Sequence, residues 1–353
     1  YLGITFSASG SFSEAKNMLY KKGLKAFFKY TKYFTNYKPN ISTLMHIFDH
    51  TVKPVLLYGS EIWGCFNSKK LNNDTELNYF YRLCKDLKNE KVHLKFCRFT
   101  LGVNKHATNL AIFGELGRYP LMIDILTNMI KYWKRIHVKN NILLTNAYSL
   151  SNTLSKAGKN CWASSIDAIL KLLDLKEYQV LSSKINIRNM VKKKLYLKYC
   201  SIWKKELFND KRQNKTSGNK LRTYRLFKPN FNFEPYLLKL PYIQRCVLTR
   251  FRIGAHKLEI EKGRYFNIKL ENRICKLCNE EIEDEMHFLL TCKTLDNVRN
   301  PFLSKIYSKN KNISKLDNKS LFIWLMGNED KNILIIICQL LEVLNINRNT
   351  ILN

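Results

Sequence analysis

Four residues towards the C-terminal end have types and spacing that imply metal chemistry. Cys275 and Cys278 flank a two-residue Lys-Leu turn, His287 follows after eight intervening residues, and Cys292 after four more. A tight Cys-x-x-Cys turn aims two thiolates at one point, and a short helix behind it can add an imidazole and a third thiolate, completing a tetrahedron. Four protein ligands leave no position for a reacting water, so the pattern predicts one structural Zn2+ and not a catalytic one. Three of the ten cysteines and one of the seven histidines fall in this 18-residue window, which argues against a chance meeting of buried thiols and a surface histidine. A redox Cys-x-x-Cys would need a βαβ context that is missing from the flanking pattern. Asp284 is placed to cap the helix that carries His287. Glu283, Asp284 and Glu285 suit its positive end, and one of these three is expected to orient the imidazole. The other seven cysteines stand singly in apolar stretches and read as small buried hydrophobes in a reducing compartment.

The second chemical signal is charge. Sixty Lys+Arg against 28 Asp+Glu give a formal +32, an imbalance that repels itself unless a polyanion is the partner. Nucleic acid, RNA or DNA, is the first candidate; the bland alternative is a Lys-, Asn- and Ile-rich composition that produces only a solvated surface. Hydrophobic residues at 45% and aromatic residues at 12% require a folded core all the same. Between residues 184 and 228, 15 Lys/Arg face two acids, Glu206 and Asp210. Leu195, Tyr199, Ile202 and Trp203 recur there at helical spacing, so they read as core while the charges read as phosphate contacts. The candidate contacts are Lys53, Arg118, Lys192, Lys193, Lys194, Lys198, Arg250, Arg252, Arg264 and Arg273. The acidic run 280–285 argues that the zinc braces this basic surface and does not itself grip phosphate. No membrane partner is expected: the longest uninterrupted apolar run, 333–338, is six residues, against the ~20 that span a bilayer.

The elements that must position these residues are mainly helical. Apolar positions repeat at a helical period near 11–35, 41–52, 75–101, 108–117, 120–139, 162–176, 182–208, 237–260, 284–295 and 319–346. In the first of these the stripe is Leu24, Phe27, Phe28, Thr31 and Phe34, with Ser11 or Ser13 as the cap. Pro54 is expected to interrupt the second, with a kink or a new helix following. Gly117 and Pro120 read as a helix stop and start, making 114–121 a turn. A short strand is expected at 1–6, a polar separator at 140–159, and a linker at 211–218. Because the chain opens on Tyr1 within strand-like sequence, the polypeptide is expected to continue upstream.

Three separated stretches resemble the C-terminal half of a non-LTR (LINE-like) retrotransposon reverse transcriptase. They are Tyr1-Leu2-Gly3-Ile4; then 52–64 (Val-Lys-Pro-Val-Leu-Leu-Tyr-Gly-Ser-Glu-Ile-Trp-Gly) with 101–104 and 114–121; and lastly 250–254, 261–265 and 273–292. The resemblance implies a helical thumb along the template–primer duplex, followed by connector helices and a CCHC zinc knuckle. The implied fold class is mainly α: a thumb-like helical block plus a small zinc-stabilised C-terminal module with minor β. The implied division is 1–139 for the post-palm hairpin and thumb, 140–235 for connector helices and linker, 236–300 for the knuckle, and 301–353 for a helical tail. The family's polymerase carboxylates form a Tyr/Phe-x-Asp-Asp motif that would lie upstream. No Asp-Asp pair occurs in this sequence, so no two-metal catalytic site is assigned and the chain is expected not to be an enzyme by itself. Glu329-Asp330-Lys331 matches the tail of a nuclease motif without the rest of it. Expected partners are RNA, DNA and the palm and fingers of the same polypeptide, in cytoplasm and nucleus. The rival readings are a stand-alone zinc-containing DNA- or RNA-binding factor and a protein-interaction scaffold.

Overall fold

Helical periodicity accounts for nearly every element of the computed structural model, which describes residues 3–8, 10–34, 37–68, 75–139, 141–181, 186–210 and 218–352. Among them the only β pairing is two isolated bridges, Leu116–Phe233 and Ile274–Ile282. The protein is therefore mainly α. Gly3 to Phe6 form a turn and irregular backbone, not the expected strand; Tyr1, Leu2 and most of the expected linker, 211–217, lie outside the described residues. Packing divides the chain into two interleaved units. One comprises Tyr1–Tyr37, Met45–Phe96 and Tyr119–Ile202, the other Lys38–Leu44, Cys97–Arg118 and Trp203–Asn353. These boundaries do not coincide with the four consecutive segments read from composition and resemblance.

In the first unit the central element is the helix Leu121–Val138, which buries Leu121, Ile125, Leu126, Met129, Ile130 and Trp133 among its apolar positions. Its N-terminus is set by Pro120 and by the buried Glu90 carboxylate, which accepts from the Leu121 amide at 2.7 Å and suits the positive helix end. Against it packs the short helix Ser60–Trp63. Gly64 allows that approach: a Cβ there would come within 2.5 Å of Ile125 Cγ2 and 2.9 Å of Met129 Sδ. Pro54 does not end the helical path. Phe48–Val52 widens into a π-turn just ahead of Lys53–Leu57, which absorbs the hydrogen bond that proline cannot make. The helix Ser13–Tyr33 buries Ala15, Leu19, Gly23 and Phe27, and leaves Phe28 exposed. Of the expected stripe Phe27 is buried, Leu24, Thr31 and Phe34 are half-buried and Phe28 faces out, because the buried face runs back through Gly23, Leu19 and Ala15. Its cap residue is Phe12, with the Ser11 hydroxyl accepting from the Ser13 amide at 3.3 Å. The polar stretch after residue 140 is no separator: Ile142–Lys156 is a surface helix without a buried residue, capped by Asn141.

In the second unit the longest helix is Lys331–Leu352, packed on Tyr242–Arg252 and on Asp296–Lys309. By length and composition it could cross a membrane, its apolar residues extending beyond the six-residue run. Here Ile333, Leu334, Ile337, Leu341 and Leu344 are buried in the unit, and so is Arg348. That is the arrangement of a core helix. Asp330 caps it, accepting from the amides of Asn332 and Ile333 at 2.8 and 3.0 Å, and Glu329 pairs with Lys239 at 3.6 Å. These contacts give both acids of the nuclease-like tail a structural part.

Candidate metal centre

The Cys-x-x-Cys turn is closed by its own backbone. Cys275 N donates to Glu281 O at 2.7 Å, Asn279 N donates to Cys275 O at 2.8 Å, and Asn279 adopts the left-handed conformation at φ 57°. The other two ligands come from a π-turn, His287–Thr291, which ends when Cys292 N donates to His287 O at 2.9 Å. At 3.6 residues per turn, positions five apart would fall about 140° apart around a helix axis. An i→i+5 turn takes more residues per turn and narrows that angle, so the imidazole and the third thiol come towards one side. Asp284 Oδ1 accepts from the His287 amide at 2.8 Å, the cap expected of it.

Together the turns bring Cys275, Cys278, His287 and Cys292 so close that their ligand atoms all lie within 4.8 Å of one another. Cys275 Sγ and Cys292 Sγ are 3.9 Å apart, and Cys278 Sγ is 3.4 Å from His287 Nε2. These two separations are close to the edge lengths of a tetrahedron whose centre is about 2.0–2.3 Å from each corner, a metal–ligand length. The cluster could hold a metal ion. His287 Nδ1 faces Glu281 Oε2 at 2.8 Å and Thr291 Oγ1 at 3.1 Å, which leaves Nε2 for the cluster. The residue that orients the imidazole is thus Glu281, one turn earlier than the three acids expected. Burial pushes the Cys275 thiol up to about 12 and raises Cys292 as well, whereas at Cys278 burial is outweighed by the backbone amides of Glu280 and Glu281 and the thiol is lowered.

The acidic run is largely turned inward. Glu283 takes two bonds from Arg348, at 2.6 and 2.7 Å, and accepts from the Glu259 amide at 2.7 Å. Glu285 pairs with Arg222 at 2.7 Å and meets His256 at 2.9 Å; burial penalises its charge, yet the Arg222 guanidinium and the hydrogen bond with the His256 ring hold its carboxyl down at about 2. Arg299, 1% exposed, donates to Cys292 O at 2.9 Å behind the cluster.

The expected phosphate contacts divide sharply. Arg252 and Arg273 are 2% and 1% exposed and are removed from the set. Arg252 bridges Glu115 and Glu234, while Arg273 donates to the carbonyls of Ile260 at 2.9 Å and Ile268 at 2.7 Å. A side chain that satisfies buried acceptors cannot also reach a phosphate without unfolding its surroundings. Lys53 and Lys192 converge on Asp124, Lys194 donates to Leu173 O at 2.8 Å, and Lys198 pairs with Asp174 at 3.2 Å. Arg264 is held by Glu261 and Gly218 O, and Arg118 is half-buried. Lys193 and Arg250 are exposed, Arg250 with its Nε on Gly102 O at 2.8 Å. Tyr199 and Trp203 are buried, as their helical spacing implied. The spacing of apolar residues does not single out the exposed rings of Tyr265 and Phe266, because an exposed ring carries no periodic signal. Compared with known proteins, the chain matches no family model, no curated protein and no solved structure.

Proposed function

We propose that this chain is a nucleic-acid-binding protein whose second unit is held together by one structural Zn2+ on Cys275, Cys278, His287 and Cys292. The observation that carries the reading is the four-ligand cluster in a chain whose formal net charge is +32. Three thiols and one imidazole gathered within 4.8 Å of one another suit zinc better than calcium or magnesium, which take oxygen ligands. Bound zinc would ionise the thiols and lock the Cys-x-x-Cys turn to the π-turn. The ligand set is full, so the metal's part is folding and not hydrolysis.

In this reading binding is dominated by backbone charge, and the internal pairing of Glu283 and Glu285 supports it by keeping their charge off the surface. The resemblance to the thumb and knuckle of a LINE-like reverse transcriptase makes template RNA and primer or target DNA the proposed ligands. The palm and fingers of the same polypeptide would be the further partners, and cytoplasm and nucleus the place of action. The proposed role in that setting is to grip nucleic acid, with polymerase carboxylates supplied elsewhere. Fluorescence titration of a single-stranded RNA, a single-stranded DNA and a duplex, each across a salt series, tests it. Affinity should fall steeply and linearly on a log–log plot. Weak binding that ignores salt would favour the scaffold reading instead.

A further inference from the structure

The second unit carries a cleft of about 850 Å3 lined by cations and by two exposed aromatic rings. Lys220 and Arg264 on its wall share the buried carboxylate of Glu261, at 3.4 and 3.3 Å, and Arg222 reaches the same carboxylate at 3.7 Å. Three cations around one acid hold their heads in place and leave surplus positive charge, although Arg222 is also paired with Glu285. Lys257 and Lys262 line the same cleft and are exposed, Lys262 in a 3.7 Å surface pair with Glu259 that solvent screens. Tyr265 and Phe266 are 77% and 62% exposed, with ring centroids 5.4 Å apart and planes at 89°.

Two large rings left in water cost burial that the fold does not recover, and here they stand at the mouth of a cationic cleft. Phosphates suit the lysines and arginines; unpaired bases suit the ring faces, and bases in a duplex are already stacked on one another. We infer that this cleft, resting on the nucleic-acid reading above, is a single-strand site in which Tyr265 or Phe266 stacks an unpaired base and Lys257 and Lys262 contact the adjoining phosphates.

The test uses the full chain and four probes of one length: oligothymidylate, the same backbone without bases, a duplex, and oligothymidylate carrying 5-iodouracil for photocrosslinking. The double variant Tyr265→Ala/Phe266→Ala should bind oligothymidylate about tenfold or more weakly, the factor one stacked base is worth, with the salt slope unchanged. Its affinity for the baseless backbone should match that of the wild type. Lys257→Gln/Lys262→Gln should weaken both probes and flatten the slope by about one to two units. Crosslinks in the wild type should map to Tyr265 or Phe266. All four side chains are at the surface, so unchanged thermal unfolding should accompany each variant. Salt-dependent binding that is equal in wild type and aromatic variant, with crosslinks elsewhere, overturns the cleft and leaves the broader reading standing. Equal competition by polyglutamate and oligothymidylate also overturns it. Absence of any nucleic-acid binding overturns both.

Discussion

Arg252 and Glu115 stand 137 residues apart in sequence and meet inside the second unit, with Arg252 Nη2 donating to Glu115 Oε1 at 3.0 Å. Both side chains are almost wholly buried, at 2% and 0% exposure. Glu234 takes the same guanidinium at 2.6 Å, Tyr236 donates to Glu115 at 2.5 Å, and Lys228 closes the group against Glu234. Gly117 permits the approach: it sits at φ 55°, and a Cβ there would come within 2.6 Å of the Phe233 amide nitrogen. The turn around Glu115 and Gly117 and the helix end that carries Arg252 therefore serve each other.

Removing one member of that group should leave uncompensated charge in the core. Arg252→Ala is expected to cost about 3–5 kcal/mol, and Glu115→Gln somewhat less because an amide keeps part of the bonding. Chemical denaturation checks this. The salt slope of nucleic-acid binding, measured where the variant stays folded, should be unchanged, since Arg252 touches no phosphate.

Metal removal should act locally. Elemental analysis of purified protein is expected to find about one zinc per chain, lost in Cys278→Ser and His287→Ala. Glu281→Ala should retain the site but weaken it about 10–100-fold, as loss of an outer partner of the imidazole does. Because Arg348 ties the last helix to Glu283, chelation should raise hydrogen exchange both in 273–295 and along Lys331–Leu352. Helices of the first unit, such as Leu121–Val138, should keep their protection. Full zinc content in His287→Ala would refute the ligand set.

Acid should weaken the first unit through Asp124. Burial penalises its charge, but Lys53 and Lys192 more than offset that and hold its carboxyl below the ordinary 3.8. The folded state then binds fewer protons than the unfolded one near this pH. The contribution is therefore fully present above the unfolded value and lost as pH falls through the lower folded one. Asp124→Asn should lower stability at pH 7 by about 1–3 kcal/mol and lose less than the wild type between pH 5 and pH 3. Thermal scans across that range would show it; parallel curves for the two proteins would contradict it.

The lysine run 192–194 should split by exposure. Lys193→Gln is expected to flatten the salt slope by roughly 0.7–0.9, one phosphate contact, without changing stability. Lys192→Gln should instead lower stability, because it opens the ion pair with Asp124. A salt series on both variants, with thermal unfolding alongside, distinguishes the two.

Ligand type and ligand spacing lie within 18 consecutive residues, so Cys275, Cys278, His287 and Cys292 were readable from sequence, and so was the cap at Asp284. Helical class was readable for the same reason, since the 3.6-residue period is local. Net charge is a sum and needs no fold. Which charges face water was decided only in three dimensions. Arg252 finds its acids at Glu115 and Glu234, and Arg348 finds Glu283 across 65 residues, pairings that no local pattern encodes. The same holds for Glu281 displacing its neighbours as the partner of His287, because a π-turn and not a regular helix carries the ring. Burial of an arginine depends on what packs over it, and that is a property of distant segments brought together by the core.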